Sequence, residues 1–282
     1  MKKSIIPLVG LMLVSLSIPA LAQEVPTYYA VYIPDDKIPV IDGDLSDWEW
    51  VPEEYVVEGF TGHFLLPPES ADDLSATFWF GWNDATNKVY GAIHVHDDHI
   101  MVDLHPQSPH MDDSIEIHWD PTECGQDPCY FDPETHMSNT CQFWISAQTT
   151  GPQWGIYSAP DPTTWWYTKD PKYTKGIGVI KGNEIYYEYY ITPYSPISWD
   201  SEEQSTLIDL EPMMSVGWQV GVDDADPGIN RKGEEGATTG DYWQSHSSTS
   251  TVWGKRPHVI LMPPEEVAVE PASWGLIKML LR

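Results

Sequence analysis

The chain has 282 residues, with 14 lysines and arginines against 43 aspartates and glutamates, and a formal net charge of −29 at pH 7. Such a negative surface repels nucleic acid and anionic membranes, so neither is expected as a partner. The 14 tryptophans and 15 tyrosines argue against a disordered acidic chain, because that class lacks the apolar and ring area that offsets the entropy of ordering.

Residues 1–22 have the layout of a secretory signal peptide, with a basic start, an apolar run from Ile5 to Ala20 and the small-residue cleavage site Ala20-Leu21-Ala22. The apolar run is short for a bilayer span, and no later stretch supplies a second one. We therefore expect a secreted or periplasmic protein that has no membrane span after the signal is removed.

Period-two alternation of apolar and polar residues recurs along the body of the chain, from about Tyr32 to Met262. No amphipathic helix longer than about ten residues is visible, so strands with one apolar face must pair into packed sheets. We predict one all-β domain over 32–262, a two-sheet antiparallel β-sandwich of the jelly-roll type. The alternating apolar positions include Ala76, Phe78 and Phe80; Ile93 and Val95; Phe143 and Ile145; Ile185 and Tyr187; and Val216, Trp218, Val220 and Val222.

The stretch DDSIEIHWDP, residues 112–121, is the most informative of these strands. Its residues Ser114, Glu116 and His118 alternate with apolar ones, so one face of the strand is polar. On other predicted strands Trp144 and Gln219 also lie in the polar phase. We therefore predict that Glu116, Trp144 and Gln219 share one open face.

Five blocks, in this order, resemble family 9 carbohydrate-binding modules, which belong to the DOMON-like β-sandwich superfamily of sugar and haem binders. The blocks cover most of the region from Val40 to Met262. The resemblance implies a sandwich that holds a sugar between aromatic rings and a carboxylate. The blocks are IPVIDGDLSDWEW, FWFGWNDATNKVYGAIHVHDD, MDDSIEIHWDP, SVGWQVGVDDADPG and STVWGKRPHVILM.

Carried over residue by residue, the resemblance gives Glu116 the role of the carboxylate that binds hydroxyls and Trp253 the role of one stacking ring. The family's second tryptophan aligns with His110, and an arginine of the family aligns with Trp144. These two departures imply a different ligand or none. A pyranose packs its C–H face on an aromatic ring, and its hydroxyls need charged or amide partners, so Gln219 completes the predicted ligand-binding set.

Two metal hypotheses follow from other residues. Asp223, Asp224 and Asp226 form a dense group of oxygen ligands, although their loop departs from the EF-hand pattern, and the resemblance implies structural calcium. A second acidic turn lies at Asp42 and Asp44. The alternative for both turns is solvated carboxylates.

Histidines offer the second metal hypothesis. His94 and His96 share a strand face, and if their strand pairs with the strand of His118, three imidazoles converge on Zn²⁺ or Cu²⁺. The alternative function is therefore a secreted or periplasmic DOMON-like protein that binds such a metal or haem. Simple surface histidines explain the same pattern.

The three cysteines, Cys124, Cys129 and Cys141, predict one disulfide in an exported protein. We favour Cys124 with Cys129, while the sequence leaves the other pairings open. Zinc binding by the three is less favoured because no Cys-x-x-Cys spacing occurs.

No Gly-x-Ser-x-Gly elbow, His-Glu-x-x-His helix or phosphate-binding glycine loop occurs in the sequence. We interpret the chain as an exported, non-catalytic carbohydrate-binding protein that holds a glycan end or a short oligosaccharide. A small secreted glycoside hydrolase, or its accessory, is the second alternative. A Pro/Glu linker over 263–273 and a helical tail over 274–282 are predicted to follow the domain.

Overall fold

A computed structural model describes residues 25–60, 62–63, 68–103, 108–126, 131–157, 165–227, 242–248 and 256–264. The predicted signal peptide, most of the predicted linker and the predicted helical tail lie outside these ranges. In the described part of the chain, the single α-helix is α1 (Trp166–Lys169), and strands dominate. This confirms the all-β class. No helix among the described residues has the length and apolar character needed to cross a membrane.

The strands are short to medium in length and follow the period-two pattern of the sequence. In chain order they are β1 (Thr27–Tyr32), β2 (Val57–Glu58), β3 (Gly62–His63), β4 (Leu74–Asn83), β5 (Lys88–Asp97), β6 (Ser114–Asp120), β7 (Met137–Ser138), β8 (Cys141–Ser146), β9 (Trp154–Ile156), β10 (Thr174–Lys181), β11 (Glu184–Ile191), β12 (Ile197–Ser198), β13 (Ser215–Pro227), β14 (Tyr242–Ser248) and β15 (His258–Leu261).

Ten strands form one continuous path in the order β10-β11-β5-β4-β1-β15-β13-β6-β8-β9. We call β10, β11, β5 and β4 the first half, and β15, β13, β6, β8 and β9 the second half. Strand β2 pairs with β4, β14 pairs with β13 and β3, and β7 pairs with β12 in a separate ribbon. The path is nearly closed, because Gly176 of β10 lies against Trp154 of β9 at the opposite end.

The structure agrees in part with the predicted two-sheet antiparallel sandwich: neighbouring strands within each half are antiparallel, but β1 links the halves into one mixed sheet. Strand β1 pairs in parallel with β15 through Thr27–Ala30 and in parallel with β4 through Val31 and Tyr32. A single strand thus joins both halves, and its backbone groups are satisfied on each side. It begins before Tyr32, the residue at which we placed the start of the domain.

The two halves enclose one hydrophobic core that contains the apolar faces of β4, β5, β6, β8, β11 and β13. At its centre the rings of Phe80 and Trp218 lie 4.7 Å apart, edge to face. Trp218 Nε1 also donates to the hydroxyl of Tyr189 at 2.8 Å. Since burying one such side chain stabilises a fold by roughly 1.5–3 kcal/mol, this core fixes the spacing of the two halves.

A second apolar cluster lies on the outer face of the first half, where residues 33–56 pack over it. Glu188 of β11 holds this segment, because its carboxylate accepts from the backbone N–H of Asp42 at 3.0 Å, from that of Gly43 at 2.7 Å, and from Trp48 Nε1 at 3.1 Å. The carboxylate of Asp44 accepts from Ser46 N at 3.2 Å and caps a 3-10 turn. The acidic turn at Asp42 and Asp44 therefore has a structural role.

Cys124 is exposed and Cys141 is buried, and both are free. The structure thus does not show the disulfide that we predicted between Cys124 and Cys129, and Cys129 lies outside the described residues. Cys141 lies on the apolar face of β8, together with Phe143 and Ile145.

Candidate functional site

The strand register brings Glu116, Trp144 and Gln219 onto one face of the second half. Glu116 pairs directly with Trp144 of β8, and His118 pairs with both Gln142 of β8 and Gln219 of β13. We call the surface formed by these side chains, together with Ser114 and Asp223, the polar face.

Hydrogen bonds connect the polar face across its three strands. Gln142 Nε2 donates to Glu116 Oε2 at 2.9 Å, and His118 Nε2 lies 3.8 Å from the same oxygen. On the other side, His118 Nδ1 lies 3.3 Å from Gln219 Oε1. The face therefore presents a carboxylate, two amides and an imidazole within reach of one another.

The indole of Trp144 lies across the backbone of Gly155, its partner on β9. A Cβ atom at Gly155 would lie 2.5 Å from Cζ2 of the indole, so only glycine leaves room for the ring. This contact holds the indole on the polar face beside Glu116.

The polar face is buried, whereas we predicted an open one. The exposed fractions are 6% for Glu116, 3% for Trp144 and 1% for Gln219. A 3-10 turn, Pro109–Met111, packs against β6, β8, β13 and β14. The alternation of the sequence identified the polar residues but gave no sign of the chain that packs over them.

His110 belongs to this covering turn, and its ring meets the ring of Tyr157 edge to face at 5.5 Å. Burial, and then the charge of Glu116, raise the pKa of Tyr157. The hydroxyl of Tyr157 is therefore protonated at neutral pH and is a hydrogen-bond donor close to the Glu116 carboxylate.

Sequence reasoning did not single out Gln142 or Tyr157. Gln142 lies in the polar phase of β8, next to Trp144, and this alternation was a usable signal. Tyr157 follows β9, which has three residues, too few to show a period. Trp253 lies outside the described residues, so its place beside Glu116 stays a prediction.

The predicted calcium ligands divide between two faces of β13. Asp223 points to the polar face, where Ser114 Oγ donates to its Oδ2 at 2.9 Å. Asp224 instead joins Asp97 and Asp113 in a buried group whose carboxylate oxygens lie within 4.8 Å of one another. We call these three residues the acidic cluster.

Two further aspartates extend the acidic cluster towards the surface. Asp73, Asp224 and Asp226 form a second group with oxygens within 4.8 Å. Of the three residues predicted to bind calcium, Asp224 and Asp226 thus lie together, whereas Asp223 lies apart from them on the polar face. Asp73, Asp97 and Asp113 carried no local sequence signal, because long stretches of chain separate them from Asp224.

The acidic cluster is electrostatically unfavourable as it stands. Burial, reinforced by the charge of Asp97, raises the pKa of Asp224 to about 9, and burial raises that of Asp97 to about 6. Asp113 accepts from Ala225 N at 2.8 Å and from Met101 N. Asp224 is 3% exposed, and no hydrogen-bond partner for its side chain is found among the described residues. A cation or protons must neutralise such a group.

The predicted three-histidine site does not assemble. Strand β5 pairs with β4 and β11, while β6 pairs with β13 and β8, so His118 lies far along the sheet from His94 and His96. His118 is buried on the polar face, whereas the other two lie on the outer face of the first half. The pairing on which this hypothesis depended is absent from the described strands.

A groove of about 970 Å³ lies elsewhere, bounded by the end of β1, by residues 34–37 and 50–55, and by residues 262–264. Tyr32, Trp50 and Tyr55 line it together with acidic residues. Among the described residues predicted to bind the ligand, Glu116, Trp144, His110 and Gln219, none lines this groove.

No protein-family model matches the chain, and no curated protein matches it. Solved structures do match it. A family 9 carbohydrate-binding module from Caldicellulosiruptor kristjanssonii in complex with glucose aligns with a TM-score of 0.54 and 14% identity, over 87% of this chain and 100% of that one. A family 9 module from the same organism in complex with cellotriose aligns with a TM-score of 0.52 and 14% identity, over 87% and 98% of the two chains.

This similarity shows the fold. The chain has the fold of family 9 carbohydrate-binding modules, as the five sequence blocks predicted. At this level of identity the ligand does not follow from the fold.

Proposed function

We propose that the protein is an exported, non-catalytic carbohydrate-binding protein that holds a glycan end or a short oligosaccharide on the polar face. The observation that carries this proposal is the register of Glu116, Gln142 and Trp144. It puts a carboxylate, an amide and an indole side by side on neighbouring strands.

This combination suits a pyranose. The sugar packs its axial C–H bonds on a ring such as that of Trp144, while its hydroxyls exchange water for polar partners. Glu116 is an acceptor for two hydroxyls, and the amides of Gln142 and Gln219 both donate and accept. The fold supports the same function, since the two similar solved modules are complexes with glucose and with cellotriose.

Burial of the polar face favours a chain end over the middle of a polysaccharide. A terminal sugar needs one opening, whereas an internal segment needs a groove that is open at both ends. Because the face is covered in the free protein, binding includes displacement of the chain around Pro109–Met111. We therefore expect association to be slower than for a preformed groove.

A glycan array followed by calorimetry on the best ligand tests the proposal. We expect Trp144→Ala and Glu116→Gln each to weaken binding at least tenfold, with Trp253→Ala as a third variant. Trp79→Ala is the matched control, because Trp79 lies on the outer face of β4 in the first half. Unchanged affinity in both Trp144→Ala and Glu116→Gln would remove the polar face from the site, and no binding to any glycan would overturn the function itself.

We also propose that calcium occupies the acidic cluster. Carboxylate oxygens are the ligands that Ca²⁺ prefers, and the buried side chain of Asp224, which no described residue hydrogen-bonds, supports a cation at this position. Asp97, Asp113 and Asp224 would hold the ion, with Asp73 and Asp226 on its outer side. A bound ion would neutralise the repulsion among these groups.

A further inference from the structure

Two histidines of β5 share one carboxylate of β11. His94 Nε2 lies 2.7 Å from Oε2 of Glu184, and His96 Nδ1 lies 2.8 Å from Oε1 of the same residue. The geometry follows from the strands, because residues two apart on β5 point the same way and His96 pairs directly with Glu184.

All three side chains are accessible on the outer face of the first half. The exposed fractions of the side chains are 37% for His94, 34% for His96 and 31% for Glu184. The ring of Tyr186 stacks on His94 at 4.8 Å with an interplanar angle of 11°, which orients the imidazole. Lys181 Nζ also lies over the ring of Tyr186, 4.5 Å from its centroid.

Two other exposed histidines in the described part of the chain each have one carboxylate partner and no second imidazole beside it. His136 lies 3.3 Å from Asp200, and His258 lies 2.6 Å from Glu123. Among the described residues, the pairing of two imidazoles with one carboxylate occurs at Glu184. This feature distinguishes the site from ordinary exposed ion pairs.

We propose that His94, His96 and Glu184 form a surface site for a borderline divalent transition metal, Zn²⁺ or Cu²⁺. Imidazole nitrogens suit these ions better than they suit Ca²⁺ or Mg²⁺. Three protein ligands leave a coordination position open to water. The site is independent of the polar face and of the acidic cluster.

A metal at this site would replace both hydrogen bonds to Glu184 and would require the two imidazole rings to move. Ligand atoms around a tetrahedral zinc, with bonds of about 2.0–2.2 Å, lie roughly 3.4 Å apart. The ligand atoms of His94, His96 and Glu184 do not all lie within 4.8 Å of one another in the structure. Metal binding therefore requires both imidazole rings to turn towards each other and to withdraw from the Glu184 oxygens.

The local charge also favours a cation. Burial acts to raise the pKa of Glu184, but the hydrogen bonds from His96 and His94 outweigh it and lower that pKa, so the carboxylate is ionised at neutral pH. Asp72 lies close enough to contribute to the raised pKa of His96, after the larger effect of Glu184.

Isothermal titration calorimetry of the untagged protein with Zn²⁺ tests the proposal. Excess Ca²⁺ is present throughout, so that any carboxylate site is already saturated. We expect one Zn²⁺ per chain, with affinity at least tenfold weaker in His94→Gln and in His96→Gln. Cu²⁺ should give an electron paramagnetic resonance spectrum with two coordinated nitrogens. Glu184→Gln should weaken binding and keep both nitrogens.

His136→Gln is the matched control, because it removes an exposed imidazole with a carboxylate partner, and it should bind as the wild type does. The substituted side chains are on the surface, so melting temperatures measured in chelator should stay close to that of the wild type. Absence of Zn²⁺ and Cu²⁺ binding, or equal binding by the His94→Gln/His96→Gln double variant, would overturn the proposal.

Discussion

Ser114 and Asp223 are direct partners across β6 and β13, and the hydroxyl of Ser114 donates to Oδ2 of Asp223 at 2.9 Å. Successive residues of a strand point to opposite faces, so Asp113 and Asp224, one position away from this pair, point to the other side. The polar face and the acidic cluster are thus two sides of the same two strands. Asp97 reaches the cluster from β5, so the cluster joins the first half to the second.

Calcium should stabilise the protein through this junction. An ion that binds only the folded state adds about 2.7 kcal/mol at a concentration one hundred times its dissociation constant, so chelation should lower the melting temperature by several degrees. Asp224→Asn should abolish the response to calcium and should itself raise the melting temperature in chelator, because it removes one of the mutually repelling buried charges.

Asp223→Asn is the matched control for the calcium experiment. It changes the neighbouring residue, whose side chain lies on the opposite face, and should keep the full calcium response. Differential scanning calorimetry with calcium and with chelator measures all three proteins. A response lost equally in both variants would contradict the assignment of the ion to the acidic cluster.

Glu188 should give stability a distinct pH dependence. Burial raises the pKa of Glu188 even though Asp42 N, Gly43 N and Trp48 Nε1 all donate to its carboxylate. An acidic side chain whose pKa is higher in the folded state than in the unfolded state makes its full contribution to stability at pH values below its unfolded pKa. That contribution is lost as pH rises through its folded pKa. Wild-type stability should therefore fall relative to Glu188→Gln as pH rises above about 4.3, the unperturbed value for Glu.

The same variant tests the hydrogen bonds. A Gln at this position loses the Trp48 bond if its NH₂ group replaces Oε1, and both backbone bonds if it replaces Oε2. At least one of the three bonds is therefore lost, at a cost of roughly 1–3 kcal/mol. Urea unfolding at several pH values measures both effects. A difference between wild type and Glu188→Gln that does not change with pH would show that Glu188 ionises as easily in the folded protein as in the unfolded one.

Local alternation in the sequence was enough to predict the strands and the inward or polar phase of each side chain. It placed Glu116, Trp144 and Gln219 on one face, and the structure has them there. It did not predict that β1 joins both halves, because Thr27–Tyr32 preceded the region in which the alternation was most regular.

Contacts between segments far apart in sequence were beyond this reasoning. The burial of the polar face depends on the turn Pro109–Met111, and the acidic cluster brings together Asp97, Asp113 and Asp224 from three strands or their ends. Period-two patterns give the face of each strand but not its neighbour. For the same reason, Glu184 was missed as the partner of His94 and His96.

Gly155 should be required for the position of the Trp144 indole. Gly155→Ala puts a methyl group 2.5 Å from the indole and should destabilise the fold by about 1–3 kcal/mol, the usual range for overpacking. In the Trp144→Ala background the same change should have a much smaller effect, because the clashing ring is gone. A double-mutant cycle by urea unfolding measures this coupling, and additive effects would mean that the ring does not rest on Gly155.

The bond between Trp218 Nε1 and the hydroxyl of Tyr189 should contribute to stability as a pair. Both side chains are buried in the core, and the ring of Tyr189 lies so close to Gly91 that a Cβ there would come within 2.3 Å of it. A water molecule therefore has no room to replace the hydroxyl.

Tyr189→Phe should leave the indole N–H without an acceptor and destabilise the fold by roughly 1–3 kcal/mol. In a Trp218→Phe background that penalty should largely vanish, because the donor is absent, although Trp218→Phe itself loses core packing. Equal effects of Tyr189→Phe in the two backgrounds, measured by urea unfolding, would show that the 2.8 Å contact adds nothing beyond packing.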